Sequence, residues 1–151
     1  MKILISACVF GKNVRWNGSN KNSEKIKKWA RDNEIELVPV CPEDELYGTP
    51  RSTIRLIQIE NKICAKMAGK DITQELDEKT QQLYERFPDA VGFIGIYGSP
   101  SCGISVGVKN LGKVTKGFMH KNADIPTVEI GQLKKDSQKE IFLNRIENNC
   151  N

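Results

Sequence analysis

Two short, continuous runs of apolar residues constrain the fold of this chain most strongly. They read KILISA at residues 2–7 and AVGFIGIY at residues 90–97. A run without polar alternation is typical of a strand buried on both faces, as in a parallel sheet covered by helices. Strands of a parallel sheet are joined by crossover connections, so helical segments should separate them along the chain.

The segments around these runs supply the expected helices and further strands. Helices are predicted over residues 22–33, about 73–87 and about 132–148, and strands over IELVPV (35–40) and PTVEI (126–130). Ser23 is a candidate cap of the first helix, and Leu133, Ile141 and Ile146 are candidate core contacts of the last one. The 151 residues suit one domain. We therefore predict a single-domain α/β fold over residues 1–151, with a Rossmann-like parallel sheet flanked by helices.

One segment breaks the alternation of strands and helices. In RLIQIENKICAKMAG, residues 55–69, five apolar residues fall on odd positions, namely Ile57, Ile59, Ile63, Ala65 and Met67. A turn at Glu60 and Asn61 would join two alternating strands, which predicts a small β-hairpin inserted into the α/β frame. Cys64 would then point to the face opposite Ile63.

Charge and hydropathy argue against several classes of protein. The net charge of +4, from 23 Lys and Arg against 19 Asp and Glu, permits an anionic ligand or RNA without requiring one. No apolar run approaches the roughly 20 residues of a membrane span, and the N-terminus reads as a strand rather than a secretion signal. We expect a cytoplasmic monomer or weak dimer that binds neither membrane nor DNA.

Three of the five cysteines follow predicted strands. The odd count, the wide spacing and the lack of a secretion signal argue against a disulfide framework. Cys8, Cys41 and Cys102 follow the strands at 2–7, 35–40 and 90–97, and the C-terminal ends of parallel strands meet at one edge, where open α/β sheets bind ligands. We expect these three thiols to converge. Cys64, in the hairpin, and Cys150, near the end of the chain, are expected to be ordinary residues.

Three converging thiolates suit either zinc or an iron–sulfur cluster. Structural zinc usually takes four ligands, and the only histidine, His120, lies in a basic segment that we expect to be well away from these loops. A site with three cysteines leaves one coordination position open, as substrate chemistry at a metal requires. The alternative is that these are ordinary buried cysteines, because cysteine is among the residue types most often buried.

Several blocks of the sequence, in order, resemble the family catalogued as DUF523, whose characterised members are thiouracil desulfidases. They are KILISACVFGKNVRWNG at 2–18, LVPVCPE at 37–43 with GTPR at 48–51, GKDIT at 69–73 and GSPSCG at 98–103. The resemblance implies a 4Fe–4S cluster held by Cys8, Cys41 and Cys102, with the fourth iron open to the substrate's sulfur. It also implies non-redox removal of sulfur from 2- or 4-thiouracil or thiouridine, giving uracil or uridine and sulfide. Thiolated tRNA is a second kind of substrate.

Given this resemblance, polar residues beside the cysteines become candidates for catalysis and binding. Glu43 is the expected acid or base, and Ser99 and Ser101 are expected to orient water or the base, with Ser99 preferred. Candidate substrate-binding residues are Arg15, Trp16 and Arg51, with Trp16 stacking on the base. Each has a structural alternative: a helix or turn cap for Glu43, a turn residue for Ser99, surface ion pairs for the arginines and a cover over the site for Trp16.

Two other functions stay open. One is a non-catalytic module that binds a cluster or zinc through three cysteines, as a sensor or sulfur carrier. The other is a thiol enzyme with Cys8 or Cys102 as its nucleophile, against which the scarcity of histidine counts, because such a thiol needs a nearby base.

Overall fold

The chain forms two β-sheets joined by helices, in a computed structural model that describes residues 1–150. Residue 151, the end of the predicted domain, lies outside the described residues. The strands are β1 Lys2–Ser6, β2 Glu36–Val40, β3 Ile54–Ile59, β4 Lys62–Met67, β5 Lys70–Asp71, β6 Ala90–Gly95, β7 Val106–Val108, β8 Lys113–Thr115 and β9 Thr127–Glu129. The helices are α1 Glu24–Asp32, α2 Pro42–Tyr47, α3 Thr73–Arg86, α4 Phe118–Lys121 and α5 Asp136–Cys150, and a short 3-10 helix spans Ile130–Leu133.

The first sheet is parallel and has the strand order β2-β1-β6-β9. Successive residues of β1 point to opposite faces: Ile3 and Ile5 pack against α1 and α5, whereas Leu4 packs with residues of α3 and α4. Both faces are therefore buried, which explains the continuous apolar runs. The predicted α/β fold with a parallel sheet flanked by helices is confirmed.

The second sheet has five strands in the order β5-β4-β3-β7-β8. The predicted hairpin is its centre, since β3 and β4 pair antiparallel and turn at Glu60 and Asn61. The sheet as a whole is larger than predicted, because β7 pairs with β3 in parallel and β8 with β7 antiparallel. Strands of two or three residues are too short to show a period of two in the sequence.

The odd-numbered positions lie on different faces in the two strands of the hairpin. Leu56 pairs with Ala65 across the hairpin, and both are buried, whereas Ile57 pairs with Cys64 on the other face. A two-residue turn places even positions of β3 beside odd positions of β4, because directly opposed residues point to the same side. Ile59 is accordingly exposed.

The C-terminal helix also differs from the prediction in its phase. The 3-10 helix ends at Leu133, which is buried, and α5 begins only at Asp136. Because the break interrupts the helical period, the buried residues of α5 are Phe142 and Ile146, one turn apart, while Ile141 is half-exposed. Among residues 1–150, no helix combines the length and apolar character needed to cross a bilayer.

Candidate active site

A cavity of about 280 Å³ opens where the strands of the first sheet end. Cys8 lies in the turn after β1, Cys41 directly follows β2, and Cys102 lies in the loop after β6. Because β2, β1 and β6 are parallel neighbours, their C-terminal ends lie at one edge. All three cysteines line the cavity, whereas Cys64 in β4 and Cys150 at the end of α5 do not.

Cys41 is the N-cap of helix α2. Its backbone is extended, and its Sγ accepts a hydrogen bond from the backbone N–H of Asp44 at 3.4 Å. Pro42 occupies the first helical position, where its missing N–H leaves no bond unmade. The local sequence Cys-Pro thereby starts the helix and turns the sulfur toward the cavity. Burial raises the pKa of this thiol to about 11.

The other two thiols are also held in their protonated form by their surroundings. Burial raises the pKa of Cys102 far above its usual range, and the nearby Cys41 raises it further. Burial likewise raises the pKa of Cys8, while Arg15 opposes the shift. Burial is the largest effect on all three thiols and favours their neutral form, which only a positive charge bonded directly to the sulfurs would reverse. A bound metal would supply that charge and displace the protons.

The Ser6 hydroxyl is a further sign that the cavity suits thiolates. Its Oγ is buried at the cavity wall and lacks a hydrogen-bond partner among the described residues. The hydroxyl nevertheless lies close enough to Cys102 to lower the pKa of that thiol. A buried donor without an acceptor costs free energy, and a thiolate on Cys102 would provide the acceptor.

The arrangement differs from that of a site for a single metal ion. Within residues 1–150, no set of three or more His, Cys, Asp or Glu side chains is arranged to hold one ion directly. In a single-ion site every donor bonds to one centre, whereas in an iron–sulfur cluster each cysteine binds a different iron. Three thiols line this cavity, and thiolate is the ligand type that an iron–sulfur cluster takes.

Glu43 and two serines form a hydrogen-bonded group beside the cysteines. Ser101 Oγ donates to Glu43 Oε2 at 2.5 Å, and Ser99 Oγ lies 3.4 Å from the same oxygen. Ser99 Oγ also accepts from the backbone N–H of Cys102 at 3.0 Å. Ser99 therefore shapes the turn that carries Cys102, whereas Ser101 holds the carboxylate. Ser101 is thus the closer partner of Glu43, and the catalytic preference for Ser99 stays a prediction.

The candidate substrate-binding residues line the same cavity. The Arg51 side chain is buried, and its Nε lies 3.6 Å from Glu43 Oε1 with no hydrogen-bond partner within residues 1–150. A second guanidinium nitrogen of Arg51 donates to Gly48 O at 3.1 Å and Thr49 Oγ1 at 3.0 Å, which fixes the side chain. Arg15 and Trp16 lie on the loop after β1, where Trp16 is 47% exposed.

Sequence reasoning did not single out several residues that line the cavity, among them Ser6 and Tyr97. Tyr97 is 77% exposed, and no other aromatic side chain in residues 1–150 except Trp16 is exposed. Of these two, only Ser6 could have been found from the sequence, because it is a polar residue at the end of an apolar strand. Tyr97 could not be found, because the sequence predicts a buried strand that ends at residue 97. In the structure the strand ends at Gly95, and Tyr97 lies beyond it.

The expectation that His120 lies well away from the cysteine loops is wrong. Its Nε2 lies 2.7 Å from the carbonyl oxygen of Cys102, and the ring is buried. Burial lowers the pKa of His120. The crossover from β6 to β9 brings the histidine back under the loop, which the number of intervening residues does not reveal. The contact is to the backbone of Cys102, so His120 is not placed as a base for the thiol.

Comparison with known proteins places this site in a family. The solved structure of the 4Fe–4S-dependent thiouracil desulfidase TudS has a TM-score of 0.72 at 22% identity, over 93% of this chain and 97% of that one. This likeness establishes a common fold. The uncharacterised protein YbbK of Bacillus subtilis (strain 168) is 34% identical over 113 residues, which cover 67% of this chain and 72% of the relative. Residues 3–128 match the family described as 2-thiouracil desulfurase, and that span includes every residue of the cavity. The chain belongs to the 2-thiouracil desulfurase family.

Proposed function

We propose that this protein is an iron–sulfur-dependent desulfidase that replaces the sulfur of thiolated pyrimidines, such as 2- and 4-thiouracil or thiouridine, with oxygen. The observation that carries the proposal is the convergence of Cys8, Cys41 and Cys102 on one cavity that also holds the Glu43–Ser101 pair. The family description supports a thiouracil substrate. The neighbour in fold, TudS, is described as 4Fe–4S-dependent, which supports the cofactor.

The three cysteines would hold three irons of a 4Fe–4S cluster and leave the fourth iron without a protein ligand. When bound, the cluster would supply a Lewis acid that polarises the C–S bond of the substrate. Thiolates are the usual protein ligands of such clusters. The hydroxyls of Ser6 and Ser101, which lower the pKa of Cys102, favour the thiolate form that ligation needs.

Glu43 moves the proton in this proposal. Its carboxylate takes a proton from the water that attacks the ring carbon and delivers it to the departing sulfur. One water molecule supplies the oxygen of the product and both protons of hydrogen sulfide, so no electron is exchanged. Ser101 fixes Glu43 Oε2, and the Arg51 guanidinium faces Glu43 Oε1 at 3.6 Å from the other side.

The aromatic residues at the mouth of the cavity are evidence for a flat, aromatic substrate. Trp16 and Tyr97, the two exposed aromatic residues among residues 1–150, both line the cavity. Stacking on such side chains accepts any nucleobase, because every base has a π-face. Free thiolated bases, nucleosides and thiolated tRNA are therefore all within the proposed range of substrates.

The test is anaerobic purification followed by measurement of iron, sulfide and the visible spectrum. We expect a brown protein with about four irons per chain, from the cluster type named above. Mixed with 2- or 4-thiouracil, it should remove the thiocarbonyl absorbance and release sulfide. Replacing Cys8, Cys41 or Cys102 by Ser should abolish both the colour and the turnover.

The chain offers matched controls in Cys64→Ser and Cys150→Ser, which lie outside the cavity and should keep iron and activity. A colourless protein, or one that binds zinc alone, would refute the proposal. A protein that holds the cluster but turns over neither thiouracil nor thiouridine would instead be a sensor or sulfur carrier.

A further inference from the structure

The loop that carries Cys102 is hydrogen-bonded to a second segment of the chain, residues 117–120. This cysteine loop, residues 98–105, also carries Ser99 and Ser101. Four consecutive carbonyl oxygens of this loop, those of residues 100–103, accept hydrogen bonds from residues 117–120. The pairs are Pro100 O with Phe118 N at 3.2 Å, Ser101 O with Met119 N at 2.8 Å, Cys102 O with His120 Nε2 at 2.7 Å and Gly103 O with Gly117 N at 2.7 Å.

Only one of these four donors is a side chain. The other three are backbone N–H groups, which remain when a side chain is changed. Because a carbonyl oxygen can only accept, Nε2 of His120 must carry the ring proton. The Cys102 carbonyl accepts a second hydrogen bond from the backbone N–H of Ile96 at 3.1 Å. His120 is thus the side-chain donor to the Cys102 carbonyl, while Ser99 Oγ accepts from the backbone N–H of Cys102.

The surroundings leave this peptide little freedom. A Cβ atom on Gly95 would lie 1.8 Å from the Cys102 carbonyl oxygen, so only glycine fits there. The His120 ring, which donates to the same carbonyl, packs edge-on against Phe93, and the two ring centroids are 5.2 Å apart. The Cys102 carbonyl is therefore enclosed between the β6 strand and the histidine.

Burial of His120 has a cost that its contact with Cys102 must offset. Its Nδ1 is buried and lacks a hydrogen-bond partner among the described residues. Leaving a buried polar atom unpaired is unfavourable, and an apolar side chain of similar size would avoid that cost. The Nε2 contact is the feature that such a side chain could not reproduce.

We propose that His120 is a positioning residue for the cysteine loop. By fixing the Cys102 peptide, its N–H donor sets the direction of Cys102 Sγ and keeps Ser101 Oγ on Glu43. The functional meaning of this inference rests on the proposed role of Cys102 as a cluster ligand. The geometry itself is that of the apoprotein and can be tested without iron.

The test compares His120→Gln with His120→Met. The two side chains are nearly equal in size and shape, but only glutamine carries an N–H donor. In the apoprotein we expect amide hydrogen exchange in residues 99–103 to be about tenfold faster in the Met variant, the factor for one lost hydrogen bond. The Gln variant should stay close to the wild type. In the iron-loaded protein, release of iron to a chelator should follow the same order.

Equal exchange in the Gln and Met variants, or unchanged exchange in the Met variant, would overturn the inference. A second measurement applies even where the Met variant fails to fold. His120 is the only histidine, so its ring signals in the NMR spectrum of the wild-type apoprotein are unambiguous, and a proton on Nδ1 rather than Nε2 would also overturn it. Protection of the loop in a protein that lacks desulfidase activity would support this inference while refuting the proposed function.

Discussion

Glu43 is the only carboxylate among the described residues that line the cavity, and its oxygens face different partners. Oε2 accepts from Ser101, whereas Oε1 faces the guanidinium of Arg51. Glu43→Gln keeps the size and the hydrogen-bond acceptor but removes the ability to take a proton. We expect kcat for thiouracil to fall by about 10²- to 10⁴-fold, the usual contribution of a positioned acid or base, with iron content unchanged.

The matched control for Glu43 is Glu45, two residues further along helix α2. Glu45 pairs with Arg86 at 2.8 Å and with Lys79 at 3.8 Å, outside the cavity. Glu45→Gln should leave kcat at the wild-type value. Full activity in Glu43→Gln would remove the carboxylate from the mechanism, and loss of iron would assign Glu43 to the structure of the site instead.

Tyr97 and Trp16 support a second prediction at the residue scale. Large aromatic side chains left in solvent at the mouth of a cavity can stack on a base, which contributes roughly 1–3 kcal/mol per base. Tyr97→Ala and Trp16→Ala should each raise KM for thiouracil about tenfold and leave kcat nearly unchanged, because neither touches the reacting atoms. Ile59→Ala, at an exposed residue of the hairpin, is the control. A fall in kcat with constant KM would contradict a stacking role.

The sequence could locate a site residue only where local sequence or sheet topology determines its position. Cys8, Cys41 and Cys102 follow strands, so topology alone places them at one edge of the sheet. Glu43 could be suggested because it lies two residues after Cys41. His120 could not be placed, since its position depends on the path of the crossover after β6. Its partner is also a backbone carbonyl, which has no signature in the sequence.

At the scale of elements, the strands buried on both faces were the easiest to predict. A continuous apolar run in β1 or β6 leaves few alternatives, and both strands occur within two residues of the predicted bounds. Helix α1 begins where its cap indicates, with Ser23 Oγ accepting from the backbone N–H of Ile26 at 3.3 Å. Strong local signals of this kind agree with the final structure, as expected for a foldable sequence.

The elements that could not be predicted are those that depend on contacts with residues far away in the sequence. Helix α2 has only six residues, and a helix of that length has little stability by itself. It forms against α3, where Leu46 and Tyr47 pack with Leu76. The three-residue strand β7 likewise exists through its pairing with β3. Neither has enough residues to show a period in the sequence.

At the scale of the whole molecule, helix α3 connects the two sheets. Leu76 lies in the core under the second sheet, whereas Leu83, two turns later, lies in the core under the first. The cavity is also shared, because Thr53 and Ile54 at the start of β3 line it together with residues from the ends of β1 and β6. The packing of α3 therefore holds together the two parts of the molecule between which the site lies.

Tyr84 connects this helix to α4 and predicts how stability depends on alkaline pH. Its hydroxyl donates to Met119 O at 2.5 Å, and burial raises the pKa of the phenol far above its ordinary value of about 10. The unfolded chain therefore loses this proton at a lower pH than the folded protein does. The contribution of Tyr84 is fully present below about pH 10 and is lost as the pH rises beyond it.

The measurement is the free energy of unfolding of wild type and Tyr84→Phe in urea, from pH 8 to 11. Below pH 10 the wild type should be more stable by about 1 kcal/mol, the usual net value of one hydrogen bond. Above pH 10 this difference should shrink by about 1.4 kcal/mol per pH unit and then reverse, because phenylalanine has no proton to lose. Subtracting the two curves cancels the titration of lysines and cysteines, which both proteins share. A constant difference between wild type and Tyr84→Phe up to pH 11 would show that the buried phenol does not govern alkaline unfolding.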